Sequence, residues 1–122
     1  MNILTIDDSA TMRMLIKKTL QPDGYTILEA DNGQSGLDTA AANKIDLFFV
    51  DVNMPVMDGL QCVEHLKKDP AYSSTPIVFL TTVTDTGKKQ MGQDLGVNGW
   101  IQKPFNPDQL RKLTKMLLGI EK

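Results

Sequence analysis

The chain has 122 residues, 41% of them hydrophobic and 23% charged, with a net charge of −2, which sizes it for one soluble globular domain, 1–122, with no second domain expected. No apolar stretch reaches the roughly 20 residues of a bilayer span, no hydrophobic leader opens the chain, and Cys62 stands alone, so no membrane span and no internal disulfide are expected and the cytoplasm is the expected location. Mild acidity without blocks of like charge excludes nucleic acid as the main ligand.

Apolar runs of strand length alternate with helical spacing. The first strand is expected over 3–6, followed by Ser9 as an N-cap and a helix with Met12, Leu15, Ile16 and Leu20 on one face. A strand over 26–29 precedes a helix marked by Leu37, Ala40 and Ala41. The third strand, 47–50, leads to a helix carrying Leu60, Val63 and Leu66, and the fourth, 77–80, to a helix over about 84–95 that Gly96 can close. A strand over 98–102 and a last helix with Leu110, Leu113 and Leu117, opened by Asn106-Pro107, complete the chain. Strands one, three and four are nearly continuous in apolar residues, as strands covered on both faces are. Five strand-then-helix units of this length imply a doubly wound open parallel sheet.

In such a sheet, ligands bind beyond the carboxyl ends of the strands. Asp7 and Asp8 follow strand one, Asp51 ends strand three, Thr81 follows strand four and Lys103 follows strand five. Like charges about 4 Å apart repel by roughly 4 kcal/mol at an effective dielectric near 20, so three clustered carboxylates need a counter-charge beyond one lysine. Oxygen ligands select a hard cation, and Mg2+ in particular is held by one or two carboxylates with waters and a substrate phosphate. One carboxylate could then attack a phosphoryl group and become an aspartyl phosphate, with Thr81 and Lys103 stabilising the transferring oxygens. Such a nucleophile is already ionised at neutral pH and needs no base. Cys62 and His65, three apart on a helix, have no further Cys or His to complete a metal site. Met54, Met57 and Leu60 are read as core packing, and Gly59 as a tight turn or a close approach.

The motifs Asp7-Asp8-Ser9, Asp51 with Asn53-Met54-Pro55 and Asp58-Gly59, Thr81, and Lys103-Pro104-Phe105 together resemble the receiver domain of bacterial response regulators, and within it the single-domain chemotaxis regulators of the CheY type. The resemblance covers essentially the whole chain. It implies a flavodoxin-like (βα)5 fold with strand order 2-1-3-4-5. It implies that Asp51 accepts a phosphoryl group from a histidine kinase, and that Asp8, Asp51 and the backbone carbonyl of Asn53 bind Mg2+, with Asp7 acting through water. Lys103-Pro104 is then a cis peptide. Trp100 takes the place of a switchable aromatic that turns inward as Thr81 moves toward the phosphoryl group. The resemblance further implies a signalling switch that catalyses only its own phosphorylation and dephosphorylation, acting as a monomer without an output domain. The flagellar motor switch is the implied target and a phosphatase a further partner; a phosphorelay shuttle or a regulator of a non-flagellar target is the alternative.

Departures from the family pattern lie at Trp100, where tyrosine or phenylalanine is usual, at Thr82, where a small residue is usual, and at Val83, which cannot hydrogen-bond an attacking water. Loss of the phosphoryl group is expected to be slower with Val83 than with a carboxylate or amide at that position. Gly87 and Gly92 either make the helix over 84–95 deformable or let it pack closely on the sheet, and Lys88, Lys89, Arg111, Lys112 and Lys115 make that side locally basic, read equally as suited to an acidic or amphipathic partner segment or as solvated helical charge. A flavodoxin would place a hydroxyl- and glycine-rich phosphate loop where Asp7-Asp8 stand, and an aspartyl phosphatase or mutase would need a second acid where Asn53 stands.

Overall fold

The computed structural model describes residues 1–52, 57, 59–81, 96–102 and 105–119. Its elements are β1 (Asn2–Ile6), α1 (Ala10–Leu20), a 3-10 turn (Gln21–Asp23), β2 (Thr26–Ala30), α2 (Gly33–Ala42), β3 (Leu47–Asp51), α3 (Gly59–Lys68), β4 (Ile77–Thr81), β5 (Gly99–Gln102) and α4 (Pro107–Leu118). The helix expected over 84–95 lies outside the described residues. Gly96, expected to close it, has φ of 84°, the left-handed backbone that a closing glycine supplies.

Five parallel strands form one sheet in the order β2-β1-β3-β4-β5, the flavodoxin-like order that the resemblance implies. Ile3 pairs with Ile27 on one side and Leu47 on the other, and Val50 pairs with Phe79. Every residue of β3 and β4 is buried, which is why both read as unbroken apolar runs. Alternate side chains feed two core layers. On one face Ile3, Leu47, Phe49, Val78, Leu80 and Ile101 pack with Ile16 and Leu20 of α1 and Leu110 of α4. On the other, Leu4, Ile6, Phe48, Val50, Ile77 and Phe79 pack with Ala40 of α2 and with Leu60, Val63 and Leu66 of α3.

Helix starts follow the capping chemistry in the sequence. The Ser9 hydroxyl accepts from the Met12 N–H, and the Asn106 carboxamide oxygen accepts from Asp108 and Gln109 with Pro107 in the first turn. Asn32 caps α2 in the same way through the Ser35 N–H. Two expected core positions are corrected: Leu15 is 45% exposed, and Ala41 faces solvent. The buried stripe of α1 runs through Ile16, Thr19 and Leu20, and that of α2 through Gly33, Gly36 and Ala40, so both residues fall beside their stripes. Gly36 explains the close seating of α2, since a Cβ there would lie 2.4 Å from Ile6 Cδ1.

Candidate functional site

The parallel order aligns the carboxyl ends of β1, β3 and β4 along one edge of the sheet. Asp7 leaves β1 fully buried, with its N–H donating to the Ala30 carbonyl at the end of β2 (3.0 Å) and its Oδ1 accepting from the Ser9 N–H (2.8 Å). Asp8, next in the chain, is exposed. Asp51, the last residue of β3, is buried, and the chain after it stays tied to β4 by the Val52 N–H to Leu80 carbonyl bond (3.1 Å). Thr81, also buried, ends β4 one residue beyond the Asp51–Leu80 pair. One carboxylate oxygen from each of Asp7, Asp8 and Asp51 lies within 4.8 Å of the other two.

The first turn of α3 comes unusually close to the nucleophile candidate. A Cβ on Gly59 would stand 2.3 Å from the Asp51 carbonyl oxygen and 2.8 Å from Val52 Cα, and the Gly59 N–H donates to the Val52 carbonyl (3.0 Å). Of the two readings of Gly59, close approach is the one observed. A Cβ on Gly33 would meet Met57 at 2.8 Å, and Met57 packs against the core layer of α2 and α3 as expected.

Trp100 is half-buried on β5 and pairs with Phe79 of β4; the two rings are 5.1 Å apart between centroids at an interplanar angle of 57°. Alternation along β5 puts it on the face opposite Gly99 and Ile101, whereas Val97, which alternation from Trp100 would also place opposite, packs in the same core layer as Trp100 because it precedes the strand. Beside it a surface groove of about 840 Å3 runs between β5 and α4, lined by Trp100, Asn106, Lys112, Leu113 and Met116 among others. Cys62 is fully buried, and burial pushes its thiol up to about 12. His65 is exposed on α3.

The structure therefore brings together Asp7, Asp8 and Asp51 and sets Thr81 at the adjoining strand end. Asn53, Met54, Pro55, Asp58, Thr82, Val83, Gly87, Lys88, Lys89, Gly92 and Lys103-Pro104 lie outside the described residues. Three carboxylates at this spacing, with all-oxygen donors, fit a small hard cation such as Mg2+. Sequence reasoning missed Arg13: its Nη1 donates to the Asp7 carbonyl, and its Nε donates to Glu29 Oε1 at 3.2 Å. A signal was available, because helical side chains lean toward the N-terminus, so an arginine in the first turns of α1 reaches back to the end of β1. Phe79 was missed as well, as an apolar residue within an apolar run.

Comparison with known proteins comes to the same place. Residues 3–115 match the response regulator receiver domain family. The chemotaxis protein CheY1 of Helicobacter pylori is 36% identical over 121 residues, 98% of each chain. A segment making up 15% of the sensor histidine kinase CheAY of the same organism is 34% identical over 98% of this chain. Among solved structures, the chemotaxis response regulator CheY4 of Vibrio cholerae superposes with a TM-score of 0.89 at 40% identity, covering 95% of this chain and 97% of that one.

Proposed function

The chain belongs to the response regulator receiver family of two-component signalling, and on that premise we propose that Asp51 is its phosphoryl acceptor. A carboxylate oxygen of Asp51 attacks the phosphorus of a kinase phosphohistidine. The P–N bond breaks, its electron pair stays on the imidazole nitrogen, and an acyl phosphate forms on Asp51. Mg2+, when bound, neutralises charge on the acids and on the transferring oxygens. Asp8, Asp51 and Asn53 would hold it, with Asp7 acting through water, and Lys103 would pair with the phosphoryl oxygens. Thr81 donates its hydroxyl to the new group.

The observation that supports this reading most is the meeting of Asp7, Asp8 and Asp51 within 4.8 Å at the strand ends. Phosphorylation replaces a carboxylate with a group of about −1.5 to −2 charge, and the active conformer gains what the resting one lacks, a Thr81 contact to that group. Trp100, next to Thr81's strand, carries the change to the groove between β5 and α4, where a partner of the phospho-form docks. Likeness to chemotaxis regulators favours the flagellar motor switch as that partner, and likeness to a segment of a sensor kinase favours a histidine kinase as donor. The cytoplasm is the proposed setting.

The test is intact mass and Trp100 fluorescence after adding Mg2+ and a small-molecule phosphodonor, with Asp51→Asn alongside. Gain of one phosphoryl group by the parent alone, with a change in emission, is expected. An unchanged mass with small donors and with a cognate kinase would overturn the proposal. If the phospho-form binds no motor component but hands its phosphoryl group to a histidine phosphotransfer protein, the relay alternative takes over.

A further inference from the structure

We infer that Arg13 is a positioning residue for the acid cluster, locking the turn from which Asp7 and Asp8 are aimed. The inference rests on the reading of that cluster as a Mg2+ site. β1 ends at Ile6, and from Asp7 onward the chain turns away from the sheet into α1. The Asp7 N–H is still paired with Ala30 of β2, whereas its carbonyl receives the Arg13 guanidinium. The Asp7 carboxylate is oriented by the Ser9 N–H. Asp8 differs: it is exposed, and among the described residues no hydrogen bond reaches its carboxylate. Its direction is therefore set by the backbone that carries it.

That backbone is where Arg13 acts. The Asp7 carbonyl and the Asp8 N–H share one rigid peptide plane, so holding the carbonyl holds the start of Asp8. Arg13 is itself held at three points: its N–H donates to the Ser9 carbonyl (3.1 Å), its Nε to Glu29 Oε1 (3.2 Å) and its Nη1 to the Asp7 carbonyl. The guanidinium presents the last two of these donors, Nε and Nη1, in a planar fork of fixed geometry, while the backbone N–H fixes the residue in the helix. The side chain is only 16% exposed, and its charge is matched by Glu29 on β2, so its contribution to the cluster is geometric rather than that of a loose counter-ion. Residues that orient metal ligands in this way govern affinity by about 10–100-fold.

The experiment is Mg2+ titration of the intact chain, followed by calorimetry and by the amide NMR signals of Asp8 and Ser9, for the parent, Arg13→Ala, Arg13→Lys, Glu29→Ala and Tyr72→Phe. Arg13→Ala is expected to bind Mg2+ about tenfold more weakly and to shift the Asp8 amide signal before any metal is added. Arg13→Lys keeps the charge but not the fork and is expected to lie between the two, as is Glu29→Ala; these carry the test if Arg13→Ala does not fold. Tyr72→Phe loses a hydrogen bond at the far end of the sheet and is expected to melt lower with parent-like Mg2+ affinity. Parent-like affinity in the Arg13 and Glu29 variants overturns the inference alone. A parent that binds no Mg2+ overturns the metal reading and this inference with it.

Discussion

Gly59 has no Cβ, and the position where one would stand is 2.3 Å from the Asp51 carbonyl oxygen. The obstacle is backbone on both sides, so a methyl group there cannot be accommodated by turning a side chain. Gly59→Ala must push α3 away from the end of β3, with a loss of about 1–3 kcal/mol in stability read from urea midpoints. Because the backbone displaced is that of Asp51 and Val52, the rate of phosphorylation by a small donor should fall too. A parent-like midpoint and rate would show that the helix start yields freely. The close approach could be named from sequence only as one of two readings, since it depends on where α3 is placed against β3 by the core beneath it.

At the scale of elements, β4 and β5 are joined by register and by the Phe79–Trp100 ring contact. Phe79 lies two residues before Thr81 on the same strand and so links the hydroxyl to the indole. Phe79→Leu removes the ring but keeps an apolar residue, and the indole should then sit more in water: its emission moves to longer wavelength and acrylamide quenches it faster. The fluorescence response to phosphorylation should shrink in parallel. Unchanged emission would mean that Phe79 does not set the resting place of Trp100. The strands were legible because burial on both faces leaves little room for polar residues, and the acids and Thr81 because each interrupts or ends such a run. Helix faces were read less well. Spacing of three and four allows a stripe wide enough to include Leu15 and Ala41, and only the sheet's actual position decides which edge of that stripe is covered. Phe79 escaped as one apolar residue within an apolar run, and Arg13, though its place in the first turns of α1 pointed back to the end of β1, has its second partner, Glu29, on a strand that only the fold brings beside it.

Across the whole molecule the two ends of the sheet are built differently. At the amino ends of the strands, polar groups are matched: Asp46 Oδ2 accepts from the Asn2 N–H (2.8 Å), Asn98 Oδ1 accepts from the Ile77 N–H (3.1 Å), and the Tyr72 hydroxyl lies 2.6 Å from the Ala40 carbonyl oxygen and 2.5 Å from that of Asn43. At the carboxyl ends, three carboxylates crowd within 4.8 Å. Two unit charges about 4 Å apart repel by roughly 4 kcal/mol at an effective dielectric near 20, and Asp7 and Asp51 are both buried, where water screens them poorly. Neighbouring donors such as the Ser9 N–H offset part of that repulsion, and what they leave is expected to lower the stability of the metal-free protein. Asp51→Asn removes one charge at nearly constant volume, so in EDTA it should melt a few degrees above the parent, about what 1 kcal/mol gives in a domain of this size. Added Mg2+ binds the folded parent and raises its midpoint with concentration, while the variant, short of one anionic ligand, should respond less, so that the gap narrows or reverses. Melts of both proteins across a Mg2+ series decide the matter: a variant that melts at or below the parent without metal would mean that the cluster is already neutralised within the protein, and that the cation is not what the acids are arranged to receive.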